Sequence, residues 1–232
     1  MKTARREDSL RSPNHDERGI AGPPEILVLH YTGMETGKAA IDRLCDPEAR
    51  VSAHYVVEED GTVFRLVPEE RRAWHAGVSY WRGARDINAR SIGIEIVNPG
   101  HEFGYRAFPA SQMAAVCDLC VDIVNRRGIT PWNVVGHSDI APRRKTDPGE
   151  LFDWRLLASR GVGIWPGTVN GGGDPDAHSE TVARWLGDIG YEVEDLKASL
   201  VAFQRRFRPR RIDGIPDPDT MRLLSSVRAL CP

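Results

Sequence analysis

Gly136 to Gly149, GHSDIAPRRKTDPG, places a neutral metal ligand, an acid and a cation within fourteen residues and reads as half of a zinc site. His137 follows the short apolar run Val134–Val135, so it should stand where a buried strand ends and the chain turns into a cleft. Proline disfavours the helical region for the residue before it, so Lys145, Thr146 and Asp147, ahead of Pro148, are expected to be extended. Residues two apart in an extended chain point the same way, which sets the Lys145 ammonium beside the Asp147 carboxylate and turns Thr146 elsewhere. A histidine and an aspartate in one loop are more often a cap, a turn or a surface ion pair than a metal site, so the reading needs partners. His30, ending EILVLH, and Glu95, inside SIGIEIV, are those partners.

Catalytic zinc takes three protein ligands and keeps one position open. His30, His137 and Asp147 supply two neutral imidazoles and one carboxylate. Zinc so held lowers the pKa of a water to roughly 7 and polarises a carbonyl. Glu95 can take the proton from that water and pass it to a departing amine. Lys145 can stabilise the oxyanion. The reaction class implied is amide hydrolysis. A carboxylate in a central apolar strand is costly unless it is paired or working, so Glu95 reads equally as half of a structural ion pair or as a base.

Positioning these groups requires a sheet. Four consecutive aliphatics before His30 suit a strand buried on both faces. In SIGIEIV, Ile92, Ile94 and Ile96 share one face, and Ser91, Gly93, Glu95 and Val97 the other, so Glu95 sits beside small residues. Two β-rich runs about Asp60-Gly61 predict a hairpin. Helices are expected over 37–45, over 112–127 with Ser111 as cap and Gly128 as stop, and over 151–159. Cys117 and Cys120 fall on a helical pattern without a second ligand pair, which favours buried helix-face cysteines over a metal or redox site.

The chain divides into a polar, mobile tail over 1–20, a first domain over 21–166, a glycine-rich linker over 167–177, and a small three-helix domain over 178–232 with helices at 180–189, 195–207 and 218–230. The fold class is α/β, with a mixed central β-sheet flanked by helices. At 232 residues, 41% hydrophobic and 28% charged, the composition is that of a soluble globular protein. A net charge of −2 gives no general attraction to nucleic acid or anionic membrane, and Arg205–Arg211 reads as a solvated helix end. No apolar run is long enough to cross a bilayer. The N-terminal stretch has basic residues with no apolar segment behind them, so the expected compartment is the cytoplasm, with the periplasm or the exterior as alternatives. The cysteines Cys45, Cys117, Cys120 and Cys231 show no disulfide framework.

Residues 24–166 resemble the zinc-dependent N-acetylmuramoyl-L-alanine amidases of the amidase-2 type, the group that contains T7 lysozyme and the peptidoglycan recognition proteins. The matching stretches are LHYTG, SAHYVVEEDGTVFRLVPE, AWHAG, SIGIEIVN and GHSDIAPRRKTDPG, in the family's order. The resemblance implies His30, His137 and Asp147 as zinc ligands, Glu95 and Lys145 as catalytic residues, and a zinc groove along a mixed sheet. It implies cleavage between the lactyl group of N-acetylmuramic acid, or its anhydro form, and L-alanine of the stem peptide. Trp74, His75, Arg85 and Asn98, in or between these stretches, are candidate substrate contacts. SLVAFQRRFRPRRIDGIPDPDTMRLL is similar to the FQ, DG, T, L pattern of peptidoglycan-binding domains. The expected partners are peptidoglycan or soluble muropeptides, not nucleic acid or membrane. A recycling role with a separable C-terminal domain implies that deletion from Gly171 onward leaves hydrolysis of soluble muropeptides intact; the rival readings are an exported wall-remodelling amidase and a non-catalytic recognition protein.

Overall fold

The computed structural model describes residues 6–7, 10–167 and 178–232. The strands are β1 (Arg6–Glu7), β2 (His15–Glu17), β3 (Ile26–Tyr31), β4 (Tyr55–Val57), β5 (Val63–Arg65), β6 (Arg71–Ala73), β7 (Ser91–Ile96) and β8 (Val134–Gly136). The helices are α1 (Gly37–Cys45), α2 (Ile87–Arg90), α3 (Gly100–Phe103), α4 (Ala110–Arg127), α5 (His137–Ile140), α6 (Trp154–Ser159), α7 (Ser179–Ile189), α8 (Leu196–Phe207) and α9 (Pro218–Arg228). Six strands form a mixed sheet in the order β1-β5-β4-β7-β3-β8, in which only β4 and β5, the expected hairpin, run antiparallel. β2 and β6 pair separately.

The alternation in β7 decides the layers. Ile92, Ile94 and Ile96 join Leu27 and Leu29 under Met113, Val116, Leu119, Cys120 and Ile123 of α4, and Cys117 is in the same core. The opposite face carries His30 and Glu95, which are register partners on neighbouring parallel strands and therefore leave the sheet side by side. On that face Ile41 and Leu44 of α1 pack with Val56 and Val97 at one end. At the other end Ile26, Val28, Val135 and Ile140 share a cluster with Leu186, Leu200, Phe203, Phe207 and Leu224 of the last three helices. The site lies between these two covers.

Several expectations are corrected. The mobile tail over 1–20 does not hold for residues 10–20: Arg18 is 8% exposed, and its guanidinium donates to the carbonyls of Glu69 and Ala89. Buried Ser12 and Asn14 bond the carbonyls of Leu44 and Asp46. A polar run without period folds here because its donors meet backbone carbonyls of the neighbouring loops and helices. Ser111 does not cap α4, which begins at Ala110; its hydroxyl donates to Glu59 O and ties down the hairpin loop, while Gly128 ends the helix at φ 68° as expected. α6 starts at Trp154 because the Asp153 side chain accepts from Leu156 N, leaving 151–153 outside it. The linker reading falls outside the described residues apart from Gly167.

The C-terminal helices do not close a core of their own, since their apolar residues share one cluster with Ile26, Val28 and Val135 of the sheet. Arg205–Arg211 is a solvated end only from Pro209 onward: Arg206 is 5% exposed and Arg208 pairs with Asp217, while Arg210 and Arg211 are exposed, Arg211 pairing with Asp213. The FQ, DG, T pattern has a local cause. The two N–H groups of the Gln204 amide are shared among Asp213 Oδ1, Ile215 O and Thr220 Oγ1, and its oxygen accepts from the backbone N–H groups of Asp213 and Gly214, so one side chain fixes the turn between α8 and α9.

Candidate metal and catalytic site

β3 ends by delivering His30, β8 by delivering His137 at the first residue of α5, and the loop after α5 returns Asp147. His30 Nδ1, His137 Nδ1 and Asp147 Oδ2 lie 2.9–3.0 Å from one another. All three residues are buried.

The hydrogen bonds behind the triangle settle where the ring protons sit. Ser91 Oγ gives its proton to Ile87 O at 2.6 Å, so it can only accept from His75 Nε2, 3.2 Å away. His75 Nδ1 is then bare and accepts from His30 Nε2 at 3.0 Å, which leaves His30 Nδ1 without a proton. Ala76 O, a pure acceptor 3.1 Å from His137 Nε2, places that ring's proton on Nε2 and leaves Nδ1 bare in the neutral imidazole. Burial, followed by His137, lowers the pKa of His30 to about 4 and keeps it neutral. Three lone pairs thus converge with no proton between them, an arrangement that repels itself unless a cation sits among them. The group can hold a metal ion.

Glu95 stands on the neighbouring strand with Oε2 buried and without a hydrogen-bond partner. Burial and then Asp147 push its pKa well above the ordinary carboxyl value, with Lys145 opposing. No ion pair to Glu95 was found among the described residues, so the structural salt-bridge reading has no partner here. A cleft of about 380 Å³ opens above these groups, lined by Trp74, Glu95, His137, Arg144, Lys145 and Asp147, among others. That is a volume suited to a small ligand.

Thr146 was expected to face away from Asp147; instead it also lines the cleft, and its hydroxyl bonds Tyr31 Oη at 2.9 Å. Of the candidate substrate contacts, Trp74 and His75 line the cleft. His75 is mainly spent on orienting His30, and its ring fills the space that Gly93 leaves: a Cβ there would come within 2.5 Å of His75 Cγ. The room beside Glu95 is thus partly occupied by histidine. Arg85 and Asn98 are corrected. Arg85 lies outside the cleft lining and pairs with Glu192 and Glu194, while buried Asn98 bonds Arg106 O and Gly100 N to shape the loop after β7. Sequence reasoning missed Arg144, Ser91 and Asp139. Only Arg144, inside the RRK run beside Lys145, left a signal there.

His54, behind His75, is fully buried, and burial followed by Arg18 lowers its pKa from 6.5 to about 3. A folded-state value below the unfolded one means that the unfolded chain takes up the proton first. Stability is therefore fully present above about 6.5 and is lost as pH falls towards about 3. Urea midpoints at fixed zinc should fall across that window; a constant midpoint would contradict a neutral, buried His54.

A family model described as Amidase_2, N-acetylmuramoyl-L-alanine amidase, matches residues 21–150. The N-acetylmuramoyl-L-alanine amidase AmiD of Escherichia coli (strain K12) is 36% identical over 228 residues, covering 88% of this chain and 82% of that protein. The 1,6-anhydro-N-acetylmuramyl-L-alanine amidase AmpD of the same organism is 38% identical over 169 residues, covering 64% of this chain and 90% of that protein. Among solved structures, the complex of E. coli AmiD with anhydro-N-acetylmuramic acid-L-Ala-D-gamma-Glu-L-Lys superposes with a TM-score of 0.82 at 34% identity, covering 91% of each chain. AmpDh3 from Pseudomonas aeruginosa in complex with anhydromuramic pentapeptide gives 0.78 at 32% identity, covering 96% of each.

Proposed function

The chain belongs to the N-acetylmuramoyl-L-alanine amidase family, and from that premise we propose a zinc enzyme that acts by preference on soluble muropeptides with a 1,6-anhydro-N-acetylmuramic acid end. The bond hydrolysed is the amide between the lactyl group of the muramic acid and L-alanine of the stem peptide. One observation carries the reading: three lone-pair atoms 2.9–3.0 Å apart beside a buried, unpartnered carboxylate oxygen.

His30, His137 and Asp147 are the proposed zinc ligands. Two imidazoles and a carboxylate suit zinc, which there supplies Lewis acidity and brings the pKa of a water down to roughly 7. Glu95 takes the proton of the attacking water and returns it to the alanine nitrogen as the C–N bond breaks. Burial and then Asp147 raise its pKa, which makes the carboxylate a stronger base towards the water than an exposed glutamate. Lys145, at the rim of the same cleft, stabilises the oxyanion of the lactyl carbonyl. Trp74 is the proposed apolar wall for substrate.

The anhydro preference is supported by the AmpD relatives and by the anhydro-muramic ligands of the AmiD and AmpDh3 complexes. All four cysteines are free, which supports a reducing compartment, the cytoplasm, and a recycling role. Among the described residues no helix is long and apolar enough to cross a membrane. The test is parallel digestion of soluble anhydro-muropeptides and intact sacculi by the full chain. Release of stem peptide is expected to be faster from the soluble substrate by about tenfold or more, on the order of one to two kilocalories of transition-state discrimination. Equal or faster release from sacculi would contradict the substrate preference and favour wall remodelling.

A further inference from the structure

We propose that the C-terminal helices act on the metal centre itself, with Tyr191 and Arg206 as positioning residues that hold the turn bearing His137 through the Asp139 carboxylate. The inference rests on His137 as a metal ligand and goes beyond it, since neither residue touches the triad.

Asp139 is 1% exposed and lies two residues after His137. Its Oδ2 accepts from Gly136 N at 2.8 Å, closing the single turn of α5 onto the residue before the ligand. Two further donors come from the C-terminal region: Arg206 Nη1 at 2.8 Å to Oδ2 and Tyr191 Oη at 2.7 Å to Oδ1. Arg206 Nη1 also donates to Val134 O at 3.1 Å. β8 is an edge strand of the sheet, so this bond occupies an edge carbonyl and fixes the strand that delivers His137. One guanidinium therefore grips the chain on both sides of Gly136–His137. Its Cζ lies over the Trp154 ring, 3.9 Å from the centroid.

Adhesion alone does not account for this arrangement. The shared apolar cluster already joins the helices to the sheet, and a buried ion pair adds little net attachment compared with apolar side chains. What such a pair adds is direction. The exposed contacts across the same boundary, such as Arg143 with Glu192, do not reach the residues that flank His137. The His137 ring is oriented by Ala76 O, and its backbone by the Asp139 clamp. Loss of the clamp should leave the donor atoms in place on average but less well aligned, which weakens metal binding and lowers turnover rather than substrate affinity.

The test uses the full chain carrying Arg206→Met, Tyr191→Phe or, as control, Arg143→Gln. Zinc affinity is measured by competition with a chromophoric chelator, and kcat and KM on a soluble anhydro-muropeptide. Arg206→Met is expected to weaken zinc by about tenfold or more and to lower kcat with little change in KM. Tyr191→Phe, which removes one hydroxyl, should shift both in the same direction by less, and Arg143→Gln should match the wild type. Wild-type zinc affinity and kcat in both Arg206→Met and Tyr191→Phe would overturn the proposal, even if their melting temperatures fall. If Arg206→Met does not fold, Tyr191→Phe decides: weakened zinc supports the proposal and unchanged zinc overturns it. Failure of the underlying reading is distinguishable, because His137→Ala would then retain zinc.

Discussion

His30→Ala, His137→Ala and Asp147→Ala are each expected to lose zinc and hydrolysis together. Any one substitution leaves two donors, and a catalytic zinc site needs three. The losses should not be graded by charge. Asp147 brings the only anion of the set, while each imidazole is locked into the tautomer that aims its bare Nδ1 inward, so no neighbour can replace it. In His137→Ala and Asp147→Ala the adjacent His75 has no free donor atom, because its Nδ1 accepts from His30 and its Nε2 donates to Ser91. Metal content of the purified variants and their turnover of a soluble anhydro-muropeptide check this in one preparation. Stoichiometric zinc in Asp147→Ala would remove that residue from the ligand set.

Glu95→Gln is expected to keep the fold, the zinc and substrate binding while kcat falls by roughly two or more orders of magnitude. The amide matches the carboxylate in size but cannot accept the proton of the attacking water. Because Oε2 is buried without a partner, the exchange breaks no hydrogen bond of the resting protein. Stability should therefore hold while turnover collapses. Lys145→Ala should lower kcat by about two orders of magnitude through loss of oxyanion stabilisation. Near-normal turnover in Glu95→Gln, measured with zinc-loaded protein, would return that glutamate to a structural role.

The parts of the site legible in the sequence were those carried by strand periodicity and by residue type. The alternation of SIGIEIV put Glu95 on the face opposite Ile92, Ile94 and Ile96, and the strand ends delivered His30 and His137 as expected. What was not legible depends on contacts far apart in the chain. Ser91 and His75 look like ordinary members of a strand and a loop, and only their approach to Ile87 and His30 makes them a relay that fixes a tautomer. Arg85 and Asn98 carry the residue types of substrate contacts, yet one meets acidic residues of the C-terminal region and the other its own loop. Composition marked 10–20 and Arg205–Arg211 as solvated, because charge and lack of period say nothing of carbonyls and acids brought to them by the fold. Arg206 is the sharpest case, a charge in a basic run that ends buried against Trp154 and Asp139.

The account is tested most directly by hydrolysing a defined anhydro-muropeptide with zinc-loaded protein in water enriched in heavy oxygen and weighing both products. Attack on the lactyl carbonyl, with the proton passed to the departing nitrogen, predicts one heavy oxygen in the carboxylate of the anhydro-muramic product and a stem peptide with a free, unlabelled L-alanine amine. A heavy oxygen in the released peptide, a cut elsewhere in the molecule, or an intact substrate would contradict it.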